Sequence, residues 1–209
     1  LRYSEDIDLV RTSGGPIGPV LDALRGALEP WLGRAQFVQS QVAPKLRFRI
    51  DAEGGGVAIR LKIEVNTREI QAFDAPAGLK FNVDSPWFSG DAEIPTFSRE
   101  ELLATKLRAL LQRDKGRDLY DLAHALDTFD GLDVGRVAEI FGQYLQGAGQ
   151  TISRAQAQER MLAKYANPRF LLDMRPLLPA ARIEDLTDKA TVDAFRRVFT
   201  TFVDRLPGD

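Results

Sequence analysis

Two strictly alternating runs of apolar and polar residues flank three consecutive glycines in the N-terminal half. In the run 45–51, apolar residues alternate with Lys45, Arg47 and Arg49, and the run 59–66 repeats the alternation. Because side chains along a strand point alternately to opposite faces, this pattern predicts two strands with one buried face and one polar face. The glycines between them predict the turn of an antiparallel hairpin.

The predicted elements change from strands to helices along the chain. Ser98 and Glu101 have the spacing of a capping box, and they precede the first of several amphipathic helices. Strands first and helices afterwards are typical of an α+β fold with a helical C-terminal part. Further strands are predicted at 6–10, 79–84 and 92–96, and helices at 17–33, 99–113, from 119 onward, and at 134–146, 153–165, 168–178 and 190–205.

Composition excludes several kinds of catalytic and metal site. The 209 residues include no cysteine, which excludes disulfides and thiolate metal sites, and one histidine, His124, which leaves almost no basis for a zinc cluster or a His-dependent triad. With 28 Lys and Arg against 30 Asp and Glu, any contact with nucleic acid must come from a local basic patch. No apolar stretch is long enough to span a bilayer, so we expect a cytoplasmic protein without a membrane partner.

Carboxylates on the predicted strands are the first candidates for chemistry. Asp6 and Asp8 lie two residues apart, so a strand places both on one face, where they would repel unless a cation such as Mg²⁺ joins them. Lys62 and Glu64 share the polar face of the second alternating run and could supply a phosphate contact and a third carboxylate. A polar strand face that meets water and a solvated cross-strand ion pair stay open as alternatives.

A basic strip between Lys106 and Arg117 is the second candidate. It covers the end of one predicted helix and the start of the next, and it could hold a triphosphate or an RNA backbone, or be a solvated helix flank. Asp118 and Asp121 begin the second of these helices, where the helix dipole by itself explains acidic residues.

Four segments, taken together, resemble the motifs of the AbiEii-type nucleotidyltransferase toxins. Their order along the chain and their spacing also resemble those of the family. The segments are Tyr3-Ser4-Glu5-Asp6-Ile7-Asp8-Leu9, Lys62-Ile63-Glu64-Val65, Glu101-Leu102-Leu103-Ala104-Thr105-Lys106-Leu107 and Lys115-Gly116-Arg117-Asp118-Leu119-Tyr120-Asp121-Leu122.

The resemblance implies a polymerase-β-like nucleotidyltransferase fold with a mixed sheet and helices. The transferase core would cover residues 1–97, and a helical domain would cover residues 98–209. The family has a Gly-Gly-Ser/Thr turn just upstream of its aspartates, and no such turn precedes Leu1. We therefore expect the core to be N-terminally incomplete.

The resemblance also implies a nucleoside triphosphate substrate and Mg²⁺, with two ions expected. Asp6, Asp8 and Glu64 would bind the metal and act in catalysis, and Asp121 would complete the catalytic set. The substrate-binding residues would be Ser4, Lys62, Lys106 and Arg117.

The implied function is the transfer of a nucleotide to a hydroxyl acceptor by the toxin of an abortive-infection toxin–antitoxin pair. RNA or tRNA is the expected acceptor, which the alternating cations Lys45, Arg47 and Arg49 favour, although they could also protect a sheet edge from aggregation. A cognate antitoxin is the expected partner. The alternatives are transfer to a small molecule and a non-catalytic module that binds nucleic acid or the antitoxin.

Overall fold

The chain forms two compact units, which divide between Gln71 and Ala72. The computed structural model describes residues 6–52, 55–56, 58–86, 88–173, 175–183 and 187–208. Both strands and helices are present, and the predicted α+β class is confirmed. The predicted domain boundary after residue 97 stays a prediction.

In the N-terminal unit the described residues form a four-stranded mixed sheet and one helix. Its strands follow the order β1-β4-β3-β2, in which β1 runs parallel to β4 and the other neighbours are antiparallel. The elements are β1 (Asp6–Val10), α1 (Gly18–Leu32), β2 (Gln36–Val38), β3 (Lys45–Asp51) and β4 (Ala58–Asn66). The predicted hairpin is the β3–β4 pair, whereas β2 was not predicted.

The alternation in β3 and β4 buries one face of this sheet, as predicted. Leu46 and Phe48 of β3 and Ile63 of β4 pack with Leu21 of α1, and all four are at most 4% exposed. The basic and acidic residues between them lie on the opposite face. Burial of the apolar face therefore fixes which side chains the sheet presents to solvent.

The second unit contains a separate hairpin and the remaining helices. The hairpin consists of β5 (Ala77–Asp84) and β6 (Ser89–Thr96), which pair with each other in a two-stranded sheet. None of the described helices combines the length and the hydrophobicity needed to cross a bilayer. The helices are α2 (Arg99–Gln112), α3 (Gly116–Thr128), α4 (Val134–Gly147), α5 (Arg154–Tyr165), α6 (Pro168–Leu172), α7 (Ala180–Ile183) and α8 (Asp188–Val198).

Two predicted helices are shorter than their apolar patterns suggested. The helix expected at 168–178 ends at Leu172, and a 3₁₀ turn containing Pro176 follows, because proline cannot continue an α-helical ladder. The helix expected at 190–205 changes at Phe199 into a π-helical segment that ends at Val203.

Glu101 anchors the segment before β5 to α2 and α4. The predicted capping box forms only in part, since the Ser98 side chain accepts a hydrogen bond from the backbone N–H of Glu101. The carboxylate of Glu101 is fully buried and instead accepts from the backbone N–H groups of Phe73 and Asp74 and from the hydroxyl of Tyr144. The N-terminus of α2 is therefore held both by the segment before β5 and by α4.

Gly116 allows a close backbone contact at the start of α3. A Cβ atom there would lie 2.2 Å from the backbone oxygen of Phe170, which belongs to α6. A backbone oxygen cannot turn away as the end of a flexible side chain can. Glycine at this position therefore lets α3 and α6 pack together.

We predict that Gly116→Ala lowers the free energy of unfolding by about 1–3 kcal/mol, the usual effect of overpacking. Gly142→Ala is the matched control, because Gly142 lies inside α4 with open space around it. This control should raise stability by about 0.5–1 kcal/mol, the helix-propensity difference. Urea denaturation of both variants measures the effects, and the same sign in both would contradict the packing argument.

We predict that Asp74→Asn destabilises the protein at neutral pH and that the effect shrinks in acid. Hydrogen bonds from Ser98 and Arg136 hold the pKa of Asp74 below its usual value of 3.8. A lowered pKa in the folded state contributes stability above the unfolded pKa, and this contribution is lost as the pH falls through the folded value. Urea titrations from pH 7 to pH 3 should show a difference of roughly 1–2 kcal/mol that decreases below about pH 4. A difference independent of pH would refute the proposed role of the Asp74 charge.

Candidate active site

The polar face of the N-terminal sheet brings the predicted acidic residues of that unit side by side. The parallel register of β1 and β4 sets Asp6 beside Lys62 and Asp8 beside Glu64. On its other side Glu64 faces Lys45 of β3. Because neighbouring strands lie about 4.8 Å apart, these five side chains, here called the carboxylate row, are lateral neighbours.

Two lysines neutralise part of the carboxylate row. Nζ of Lys62 lies 2.9 Å from Oδ2 of Asp6 and 3.3 Å from Oε2 of Glu64. Nζ of Lys45 lies 3.0 Å from the same Glu64 oxygen. Asp8 is exposed and forms no ion pair within the described part of the chain. Its carboxylate is therefore open to a ligand from solvent.

These contacts shift two pKa values in opposite directions. Burial acts to raise the pKa of Glu64, but hydrogen bonds from Lys45 and Lys62 outweigh it, and this pKa falls below its ordinary value. Burial acts to lower the pKa of Lys62, but its hydrogen bonds to Asp6 and Glu64 outweigh it, and this pKa rises. Both groups are therefore charged at neutral pH.

The donor chemistry of the row suits a hard divalent cation, because Asp6, Asp8 and Glu64 offer carboxylate oxygens from adjacent strands. Among the residues that the structure describes, however, no three Asp, Glu, His or Cys side chains converge on a metal-binding arrangement. The Lys62 ammonium group contacts both Asp6 and Glu64. Joint binding of a metal by these two acids therefore requires Lys62 to give up its present contacts.

The second unit contains another pair of predicted site residues, Lys106 and Asp121. Nζ of Lys106, on α2, lies 2.8 Å from Oδ2 of Asp121, on α3. Leu107 and Leu122, the next residues along these two helices, are fully buried in the same core. Core packing therefore fixes the faces of α2 and α3 that carry the pair.

An ion pair that the sequence did not reveal joins the C-cap of α2 to α3. Arg113 donates to both carboxylate oxygens of Asp118, at 2.7 Å and 2.8 Å. Asp118 is fully buried, and it lies one turn before Asp121. The sequence did not predict this pair for two reasons. The helix dipole by itself explains an acid at this position. Residues five apart on either side of a helix break also show no helical periodicity. The pair therefore positions the start of α3.

Two predicted substrate-binding residues belong to neither cluster. Arg117 is half-buried in the first turn of α3 and forms no ion pair with another described residue. Ser4 lies outside the described residues. The roles predicted for the carboxylate row, for Lys106 and Asp121, and for these two residues stay predictions.

The sequence pattern of one known family, described as "Nucleotidyl transferase AbiEii toxin, Type IV TA system", matches residues 1–209. The chain belongs to this AbiEii family. Membership confirms the predicted resemblance and, with it, the predicted enzyme class of nucleotidyltransferase. A comparison of the AbiEii-family chain with curated proteins finds no match.

The solved structure of MenT4 supports the fold of the AbiEii-family chain, and a second similar structure comes from Helicobacter pylori. MenT4, a nucleotidyltransferase toxin from Mycobacterium tuberculosis H37Rv, is 19% identical, with a TM-score of 0.59 over 99% of this chain and 70% of that one. JHP933 from Helicobacter pylori is 14% identical, with a TM-score of 0.48 over 95% of this chain and 78% of that one. The similarity to MenT4 confirms the predicted mixed sheet with helices.

We predict that Arg113→Gln is more destabilising than Asp118→Asn. Loss of Arg113 leaves a buried carboxylate without its guanidinium partner, which should cost roughly 2–4 kcal/mol. Loss of the Asp118 charge should cost only about 1–2 kcal/mol, because the Arg113 side chain is 46% exposed and can turn to water. Chemical denaturation of both variants gives the comparison, and equal losses would argue against a buried charge as the cause.

Proposed function

We propose that this AbiEii-family chain transfers a nucleotide from a nucleoside triphosphate to a hydroxyl group of RNA, in a reaction that depends on a divalent metal. The observation that carries the proposal is the lateral arrangement of Asp6, Asp8 and Glu64 on one polar strand face, where Lys62 contacts Asp6 and Glu64 and Asp8 is open to solvent. Lys45 and Lys62 offset the charges of Asp6 and Glu64 but leave Asp8 without an ion-pair partner among the described residues, and a bound cation would offset that remaining charge. Family membership supplies the class of reaction.

The chain's own residues divide into two roles in this proposal. Asp6, Asp8 and Glu64 would hold Mg²⁺, with two ions proposed, and bound Mg²⁺ would offset the negative charge of the triphosphate. Lys62 and Lys106 would contact phosphate oxygens, and Asp121 would orient Lys106 through the ion pair that it already makes. We assign Ser4 and Arg117 to triphosphate binding on the family resemblance alone.

The reaction requires little covalent chemistry from the protein. The acceptor hydroxyl oxygen forms a bond to the α-phosphorus, the bond from that phosphorus to the β-phosphate bridge breaks, and pyrophosphate leaves. The hydroxyl proton passes to a carboxylate of the row. Positioning of the two substrates and charges that match the transition state therefore account for catalysis.

The biological setting that we propose is that of a toxin in a type IV toxin–antitoxin pair active in abortive infection. Its partner would be a cognate antitoxin. Since RNA is the proposed acceptor, the cytoplasm is the proposed location. Modification of an RNA would halt the cell only while the antitoxin is ineffective.

We predict that Asp8→Asn lowers the transfer rate by at least about a hundredfold, the loss expected when one electrostatic contact to the transition state is removed. Asp8 is exposed, so the variant should fold like the wild type. Asp22→Asn is the control, because Asp22 is a surface carboxylate of α1 with a 74% exposed side chain. The assay incubates the protein with labelled nucleoside triphosphates, Mg²⁺ and total RNA, and measures label in RNA.

Chelation of divalent ions should abolish labelling, and added Mg²⁺ should restore it. Full activity of a correctly folded Asp8→Asn protein would remove the proposed role of the row. Binding of RNA without any labelling, over all four nucleotides, would favour the non-catalytic module instead. Label in a small molecule but not in RNA would show that the acceptor is a small molecule, while the proposed nucleotidyl transfer would stand.

A further inference from the structure

Three arginines continue the polar face of the N-terminal sheet beyond the carboxylate row. Arg47 lies beside Lys62, and one step further along the strands Arg49 lies directly beside Arg60. All three side chains are exposed, and none has an ion-pair partner within the described ranges. We call Arg47, Arg49 and Arg60 the arginine strip.

The arginine strip is unfavourable for the isolated protein. Arg49 and Arg60 are a directly opposed cross-strand pair, and like charges in that position destabilise a sheet. The nearest acids do not relieve them, because Glu64 and Asp6 are already bound by lysines and Asp51 makes no ion pair with either arginine. An anionic ligand from solvent would remove the repulsion.

Protection of a sheet edge does not account for the whole strip. Arg47 is paired on both sides, with Gln36 of β2 and Lys62 of β4, so it lies inside the sheet. An interior position has no open edge that a charge could guard against aggregation. A binding role accounts better for a cation at this place.

The length of the strip indicates the size of its ligand. Glu64 and Arg60 are four residues apart on β4, which corresponds to about 13 Å along a strand. A ligand that reaches both the carboxylate row and the far end of the strip must be an extended polyanion. Guanidinium groups bind phosphate oxygens through two parallel hydrogen bonds, which suits a polynucleotide backbone.

We propose that the arginine strip binds the phosphate backbone of the RNA acceptor and thereby directs the acceptor along the strands to the carboxylate row. This inference rests on the proposed function, because RNA is the polyanion whose hydroxyl must reach that row. Such contacts do not read the base sequence of the RNA, since guanidinium–phosphate bonds do not involve the bases. The strip therefore supplies affinity and direction rather than sequence specificity.

The test measures binding of fluorescein-labelled single-stranded RNA to the full chain by anisotropy at several salt concentrations. For R49Q/R60Q we expect an affinity at least tenfold lower, and a slope of log K against log salt that is smaller by about 1.4, because each lost phosphate contact contributes roughly 0.7. The matched control is R34Q/R68Q, which removes the same charge from exposed positions in loops. The control should keep the wild-type slope.

Transfer assays separate this inference from the proposed function. In R49Q/R60Q the Michaelis constant for RNA should rise in parallel with the loss of affinity, whereas NTP binding measured without RNA should match the wild type. Lower NTP affinity in R49Q/R60Q would assign the arginines to the triphosphate and overturn the inference. Unchanged RNA affinity in R49Q/R60Q, or an equal loss of RNA affinity in R34Q/R68Q, would also overturn it. If the wild type labels no RNA but its RNA affinity depends on these arginines, the proposed transfer to RNA is wrong and the binding role of the arginine strip is retained.

Discussion

The pairing of β1 with β4 decides whether this chain has a carboxylate row at all. A strand register that slipped by one residue would turn Asp6 and Asp8 to the face on which Ile63 is buried. In β3 and β4 the apolar positions prevent such a slip, because they must remain against α1, and the ladder with β4 then sets the face of β1. Hydrophobic burial on one face therefore controls the positions of charges on the other.

Charge on the polar face follows a gradient along the strands. At one end Asp8 is open to solvent, and in the middle Lys62 contacts both Asp6 and Glu64. Toward the other end Arg47, Arg49 and Arg60 follow, and Asp51 ends β3. The chain as a whole has a net charge of −2, so this separation is local and cannot be deduced from overall composition. A face of this kind suits a metal-bound phosphate at one end and a phosphate backbone at the other.

The sequence predicted those features of the fold and the site that depend on local residue patterns. Alternation in 45–51 and 59–66 was enough for the β3–β4 hairpin, and the period of two was enough to set Asp6 and Asp8 on one face. It did not predict that β1 lies parallel to β4, because the paired residues are 56 positions apart in sequence and their pairing depends on tertiary packing. The bidentate pair of Arg113 and Asp118 was missed for the same reason, since its geometry depends on how two helices meet.

The position of β1 at the margin of its sheet affects the resistance of the site to unfolding. In the described structure β4 is its one neighbour, and Ile7 and Leu9 are 44% and 36% exposed. Detachment of this single strand would cost less than opening the sheet, because few apolar contacts and one ladder of hydrogen bonds are lost. Such a partial opening would separate Asp6 and Asp8 from Glu64 while the hydrophobic interior stays folded. Activity would then be lost at lower denaturant concentrations than global structure.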